Sequence, residues 1–284
     1  MKLSAFKDYY RLSKPGMVYG NLLTAAAGYF LASRLHLKLA QFVLMIVGTA
    51  FIMGAACALN NLADRDIDSV MERTRKRPSA TGSLSFRSGL IFALVLALVG
   101  FLALLIGTNF ICVAVGVFGF IDYSFIYTYS KRKTHHSTLI GSLAGSAPII
   151  GGYVAYSGDL TTTALLAGSL MLFWQMPHFY AIALFRESDY KKARIPLLPI
   201  VKGRAYTIKA MLAYNVLFIA SIFGLYFYAR LSIIYLLVLG TAAILWLVYN
   251  LKGIKLEEYA TWSRKSFAFS LILVMILSFS VALR

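Results

Sequence analysis

Asn60, Asp64 and Asp68 stand four residues apart in the run Asn60-Asn61-Leu62-Ala63-Asp64-Arg65-Asp66-Ile67-Asp68, at the end of a long apolar segment. On a helix each step of four residues turns about 400°, so the three side chains form one stripe that presents several oxygens to a hard cation. Arg65, Arg73, Arg75, Lys76 and Arg77 follow at once. They supply cations for the phosphates that Mg2+ usually accompanies. The plainer alternative is a solvated helix end with internal salt bridges.

Two further groups invite the same question. Tyr127 and Lys131, in Tyr127-Thr128-Tyr129-Ser130-Lys131, share a helix face, so the ammonium can meet a phosphate while the phenol lines the space beneath it. The alternative is an interfacial aromatic beside a snorkelling lysine. In Trp174-Gln175-Met176-Pro177-His178 the Gln, Pro and His are costly if they face lipid, and are expected to face a cavity, with Pro177 loosening the helix. His178 reads equally as a ligand or substrate contact and as a hydrogen bond between helices. Beyond it, Asp189 is expected on the same membrane face as Asp64, where it would complete a second metal site, and Glu187 either assists or pairs with a base. Asp122 is a buried carboxylate without an evident partner.

The elements that must position these residues are membrane spans. Of the 284 residues 60% are hydrophobic and 14% charged, and the mean hydropathy is +0.73. The fold class is therefore an all-α polytopic membrane protein, one domain over residues 1–284, with lipid bilayer as its surroundings. Nine transmembrane helices are expected at about 16–33, 40–60, 87–107, 109–129, 138–157, 162–185, 207–229, 231–250 and 266–283. The +17 charge does not signal nucleic acid, because the basic residues sit in alternate connections. Arg34, Lys38, Arg230 and Arg284 lie on one face and the other 24 of the 28 Lys and Arg, Lys2 included, on the opposite one. That asymmetry places the N-terminus in the cytoplasm and the C-terminus outside. Ala25-Ala26-Ala27 looks like a cleavage site, but eight more spans make segment 1 a retained helix. Cys57 and Cys112 read as small core residues.

The run Asn60-Asn61-x-x-Asp64-x-x-x-Asp68 resembles the first aspartate-rich motif of the UbiA-type intramembrane prenyltransferase superfamily, and Tyr127-x-x-x-Lys131 resembles its YxxxK element. Within it the chain is most similar to the protohaem IX farnesyltransferase (haem O synthase) branch. The phrases that carry this are Lys14-Pro15-Gly16, Asp64-Arg65-Asp66-Ile67-Asp68 with Met71-Glu72-Arg73-Thr74, Thr138-Leu139-Ile140-Gly141-Ser142, Trp174-Gln175-Met176-Pro177-His178, and Asp189-Tyr190 with Ile195-Pro196-x-Leu198-Pro199. Five phrases in register are a specific signal. One departure is that Asp189 is followed four residues later by Ala193, where the superfamily commonly has a second Asp.

The resemblance implies a helix bundle around a central cavity and Mg2+-dependent transfer of farnesyl from farnesyl diphosphate to the 2-vinyl group of haem b, leaving a hydroxyethylfarnesyl side chain. It implies metal ligands Asn60, Asp64, Asp68 and Asp189, and a catalytic set of Asp64, Asp68, Tyr127, Lys131 and Asp189. Substrate contacts are expected from Lys14, Asn21, Arg65, Arg73, Arg77, Trp174, Gln175, His178 and Lys192. The location implied is the cell inner membrane, and the partners are a haem A synthase or a terminal-oxidase assembly that takes the product.

Two other readings stand beside it. A prenyltransferase for a phenolic acceptor such as 4-hydroxybenzoate would keep the Asp stripe and change the acceptor pocket. A secondary transporter would carry its polar groups near the bilayer midplane, whereas these carboxylates stand at span ends. The charge asymmetry makes a test of its own: reporter fusions within 65–85, 131–137 and 187–205 should all report the cytoplasm, and an outside signal from any of them would break the convergence of spans 2, 4 and 6 on one site.

Overall fold

The computed structural model describes residues 3–256 and 258–281, with side chains from residue 6 onward. Lys2 and Arg284, and the expected end of the last span at 283, lie outside the described residues. An amphipathic helix α1 (Leu3–Leu12) precedes the long helices α2 (Pro15–Ser33) and α3 (Leu39–Ala63). Two short helices, α4 (Arg65–Val70) and α5 (Pro78–Thr81), fill the first long polar connection. Then come α6 (Phe86–Gly107), α7 (Phe110–Ser130), α8 (Ser137–Ser157) and α9 (Thr162–Phe185). The second long connection holds α10 (Glu187–Lys192) and α11 (Leu198–Val201), followed by α12 (Arg204–Ala229), α13 (Ile233–Lys255) and α14 (Tyr259–Ser280). Among the described residues there is no strand.

Seven helices, α3, α6, α7, α8, α12, α13 and α14, are long and apolar enough to cross a membrane. The expected count of nine is not reached on that measure. The two remaining long helices, α2 and α9, have 19 and 24 residues. They carry the half-buried Asn21 and the Trp174-to-His178 phrase, whose Gln175 and His178 are buried, and these polar groups lower the hydropathy of the two helices.

Backbone approach holds the centre together. A Cβ added to Gly28 of α2 would run into the Ile149 carbonyl of α8, and one added to Gly152 of α8 into the Ala25 carbonyl of α2. Between α3 and α6 a Cβ on Gly100 would lie 2.8 Å from the Ile52 nitrogen and 2.9 Å from the Gly48 oxygen. Lipid tails are as apolar as leucine, so helix association here depends on such close packing and on hydrogen bonds between helices. Half of the most apolar stretch of α8 is buried, against 17% for α7, which places α8 at the centre and α7 at the lipid boundary.

Hydrogen bonds also explain where α14 begins. It starts at Tyr259 rather than near 266, because Ser263 and Ser266 turn inward while Arg264 and Lys265 stay exposed. Ser266 Oγ donates to Asn250 Oδ1 at 2.6 Å, Asn250 Nδ2 donates to Asn215 Oδ1 at 2.8 Å, and Trp246 Nε1 donates to Ser266 Oγ at 3.1 Å. Hydropathy alone counts these groups as polar and ends the span too soon. Cys57 and Cys112 are free and buried.

The α2–α8 crossing should tolerate no added side chain. Gly152→Val is expected to cost about 1–3 kcal/mol by overpacking, read as a lower thermal midpoint in detergent, whereas Gly16→Ala, with nothing within 4 Å, should leave the midpoint nearly unchanged.

Candidate active site

The end of α3 is the organising element. Its last residue is Ala63, Asp64 follows at φ −93° and ψ 9°, and α4 resumes at Arg65. The helical bonds continue through this break, with Asp64 N to Asn60 O at 3.0 Å and Asp68 N to Asp64 O at 2.8 Å. Asn60, Asp64 and Asp68 therefore keep one inward face and are all buried, while Asp66, two residues off the stripe, is exposed.

Three other elements bring cations to that face. Lys14 lies between α1 and α2 at φ 50° and ψ 63°, a left-handed conformation uncommon for a residue with a Cβ and disfavoured before a proline. The turn aims its ammonium back at α3, where it donates to Asn60 Oδ1 at 2.5 Å. Arg77, just before α5, donates to Asp68 Oδ2 at 2.7 Å and to Asn61 Oδ1 at 3.0 Å. Lys131, at the end of α7, is ion-paired with Asp64 Oδ2.

Helix α7 reaches this position through a π turn over Asp122–Tyr127. The wider turn lets Thr128 Oγ1 donate to Tyr123 O at 2.9 Å while it accepts from Asn60 Nδ2 at 2.8 Å. Tyr123 and Tyr127 stack at 5.3 Å, with the Lys131 ammonium 5.5 Å from the Tyr127 ring and the Lys14 ammonium 5.9 Å from the Tyr123 ring. Gly141 of α8 makes room for the Tyr127 ring, 2.7 Å from where a Cβ would stand. The partner of Asp122 is the Ala144 amide of α8, at 3.2 Å.

Burial lowers the pKa of the Lys131 ammonium and Asp64 draws it back up. Withdrawal from water brings Lys14 down to about 8. Arg132 takes the outward acid: it donates twice to Asp66 at 2.7 Å and once to Ala63 O at 2.7 Å, and holds the Asp66 carboxyl down at about 2. Its guanidinium stays 3.8 Å from Asp64 Oδ1, beyond hydrogen-bond distance. That oxygen is buried and has no hydrogen-bond partner. An orphaned carboxylate oxygen in such a place is the kind of donor a hard cation requires.

Asp189 is placed differently from the stripe. Its Oδ1 accepts from Glu72 N at 3.0 Å and its Oδ2 from Arg73 N at 3.4 Å, so it ties the two long polar connections together. Among the described residues no three His, Cys, Asp or Glu side chains gather around one point. Glu187 pairs with bases: Lys191 at 2.5 Å and Arg204 at 2.9 Å, with the Tyr259 hydroxyl at 3.1 Å. Burial would raise its pKa, but these donors hold it below the ordinary value. Arg65, Arg73 and Lys192 are exposed.

Beneath the tyrosines lies a cavity. Met17 and Asn21 of α2, Thr49 and Cys57 of α3, Cys112 and Tyr123 of α7, Gly145 and Pro148 of α8, and Gln175 and Phe179 of α9 are among its walls, which are mostly apolar. The Trp174-to-His178 phrase divides between two faces, because residues four apart on a helix share a side. Gln175 and Phe179 face the cavity. Trp174 and His178 are absent from its wall and face α14: their rings stack at 4.8 Å, Trp174 Nε1 donates to Ser270 O at 3.0 Å, and His178 Nδ1 lies 2.7 Å from Ser270 Oγ. For His178 the geometry is that of a hydrogen bond between helices. Sequence reasoning passed over Asn61, Thr128, Arg132 and Ser270, which lack charge patterns of their own or, for Arg132, sit beside a stronger candidate.

The sequence profile described as the UbiA prenyltransferase family matches residues 21–272. The protoheme IX farnesyltransferase of Klebsiella pneumoniae subsp. pneumoniae is 38% identical over 274 residues, covering 96% of this chain and 93% of that protein. The protoheme IX farnesyltransferase of Protochlamydia amoebophila is 38% identical over 273 residues, covering 96% of each. Among solved structures, a UbiA homolog from Archaeoglobus fulgidus bound to DMAPP and Mg2+ superimposes with a TM-score of 0.73 at 16% identity, over 94% of this chain and 99% of that one. A UbiA homolog from Aeropyrum pernix does so with 0.75 at 21% identity, over 94% and 97%. At such identities the structures show the fold.

The lowered Lys14 makes a direct prediction. Its amine should be half neutral near pH 8, charged below that and uncharged above, so competitive acylation followed by mass spectrometry should give Lys14 a reactivity midpoint near 8. A Lys14 midpoint near about 10.4, the value of free lysine, would contradict the withdrawal from water that the turn imposes.

Proposed function

The chain belongs to the UbiA prenyltransferase family, and on that premise we propose that this prenyl transferase moves the farnesyl group of farnesyl diphosphate onto the 2-vinyl group of haem b, giving haem O with its hydroxyethylfarnesyl side chain. The observation that carries the reading is the buried Asp64–Asp68 stripe, with one orphaned oxygen, ringed by Lys14, Arg77 and Lys131 at the head of a largely apolar cavity. The near-full-length likeness to proteins named protoheme IX farnesyltransferase supports haem b as the acceptor.

The donor set suits Mg2+, which the acids would hold through the free Asp64 Oδ1, Asp68 and the Asn60 amide oxygen. Bound there, the metal would supply Lewis-acid stabilisation of the departing diphosphate. Lys14, Arg77 and Lys131 have N–H donors at the same face and would bind phosphate oxygens, with Arg65, Arg73 and Lys192 at the exposed rim. Asp189 positions the loop of Glu72 and Arg73 through their amides. Tyr123 lines the cavity and stacks on Tyr127, and these π systems would stabilise the allylic cation. The apolar walls would receive the farnesyl chain, with Asn21 and Gln175 as their polar contacts, and keep bulk water from the cation. Trp174 and His178 fix α9 against α14 and so set the cavity wall.

The bundle is one membrane domain, with α2 and α9 as the eighth and ninth spans, lying in the cell inner membrane with its N-terminus cytoplasmic. The Lys and Arg asymmetry supports that orientation. A haem A synthase or a terminal-oxidase assembly would take the product.

Purified protein given farnesyl diphosphate, Mg2+ and haem b should yield a haem bearing hydroxyethylfarnesyl, identified by chromatography with mass detection, and should leave 4-hydroxybenzoate unprenylated. Asp64→Asn and Asp68→Asn should each lower kcat/KM by about 100-fold or more while the protein remains inserted and folded. Normal rates in both variants across a Mg2+ titration would return the stripe to a salt-bridged helix end.

A further inference from the structure

Gln175 is 5% exposed and sits on the wall of an otherwise mostly apolar cavity. Its amide nitrogen donates to two backbone carbonyls, Ser142 O at 3.2 Å and Met171 O at 3.0 Å. This settles which end is which, since an oxygen in that position would face two acceptors. The other end, Oε1, accepts no hydrogen bond from the described residues. It points at Gly145, where an added Cβ would collide with it, so the glycine keeps the space that this oxygen occupies. A second acceptor lies next door. Pro148, inside α8, has no N–H to give the carbonyl four residues earlier, which is that of Ala144, and both residues line the same cavity.

An amide oxygen with no donor among the described residues, beside a carbonyl that a proline leaves without its helical N–H, calls for a donor in a mostly apolar cavity. We infer that Gln175 Oε1 and the Ala144 carbonyl hold the water molecule whose oxygen becomes the hydroxyl of the transferred group. This rests on the proposed reaction. In that reaction the C–O bond of farnesyl diphosphate breaks with its electron pair leaving on diphosphate, and the vinyl π pair forms the new C–C bond. A cation remains on the carbon next to the macrocycle. Water donating both hydrogens to two wall acceptors keeps its lone pairs free, so one pair forms the C–O bond, and the proton released passes to the departing diphosphate. Without a held water, the cation loses a proton from the adjacent CH2 and gives an alkene lighter by one water. Gln175 is thus a water-positioning residue that decides the product.

The test is product analysis with farnesyl diphosphate, Mg2+ and haem b. Wild-type protein in isotopically labelled water should place the label in the hydroxyl. Among whatever farnesylated haem Gln175→Met makes, the ratio of hydroxylated to alkene product should fall by about tenfold, the worth of one lost hydrogen bond. If that variant does not fold, Gly145→Ala, whose methyl displaces Oε1, should shift the ratio in the same direction. An unchanged product ratio in a folded variant, or a hydroxyl without label, would overturn the inference. Failure of the wild-type protein to farnesylate haem at all would instead refute the reaction proposed above.

Discussion

The ion pair between Asp64 and Lys131 is the constraint on which the polar end of the bundle depends. It joins the end of α3 to the end of α7 with both groups buried, and a buried charge is tolerated only with a partner. The pair repeats around it: Arg77 neutralises Asp68, Lys14 meets Asn60, and Arg132 draws off Asp66. Each acid on the stripe thus has a cation from a different element, so the helices that bring those cations must converge. Even so, no single partner satisfies both oxygens of Asp64.

Local backbone irregularities serve that convergence. The left-handed Lys14, the break at Asp64 and the π turn over Asp122–Tyr127 all lie at the site, where less favourable conformations persist when surrounding contacts over-determine them. In the π turn, Thr128 is held by Tyr123 O and Asn60 Nδ2, and those two bonds set the direction in which Lys131 leaves the helix. Pro148 acts in the cavity as the irregular turns do at its head. Pro148 and Pro177 are both buried in helices packed on neighbours, where their missing N–H groups free carbonyls without exposing them to lipid.

The two halves of the molecule are held by different means. Around α2, α3, α6 and α8, glycines bring backbones into contact. Around α9, α12, α13 and α14, side-chain hydrogen bonds do this work, through Ser270 to Trp174 and His178 and through Asn250 to Asn215 and Ser266. The cavity belongs to the first half, and α9 is shared: Gln175 faces the cavity and Trp174 faces the polar seam.

Much of this was legible in the sequence, because lipid imposes a simple rule on composition and helical spacing imposes another. Apolar runs set the membrane class and the order of the helices, and a four-residue spacing put Asn60, Asp64 and Asp68 on one face. Five short phrases pointed to the family. Only the tertiary structure decided the rest, since hydropathy does not distinguish a polar group turned to lipid from one bonded inside the bundle. That is why α14 starts earlier than expected, and why α2 and α9 fall below the hydropathy of the other seven long helices. Spacing along one helix likewise says nothing of what another helix brings to it. The cation for each acid, the loop amides that occupy Asp189, and the division of Trp174, Gln175 and His178 between two faces are set by which helices pack together, a property of the folded chain.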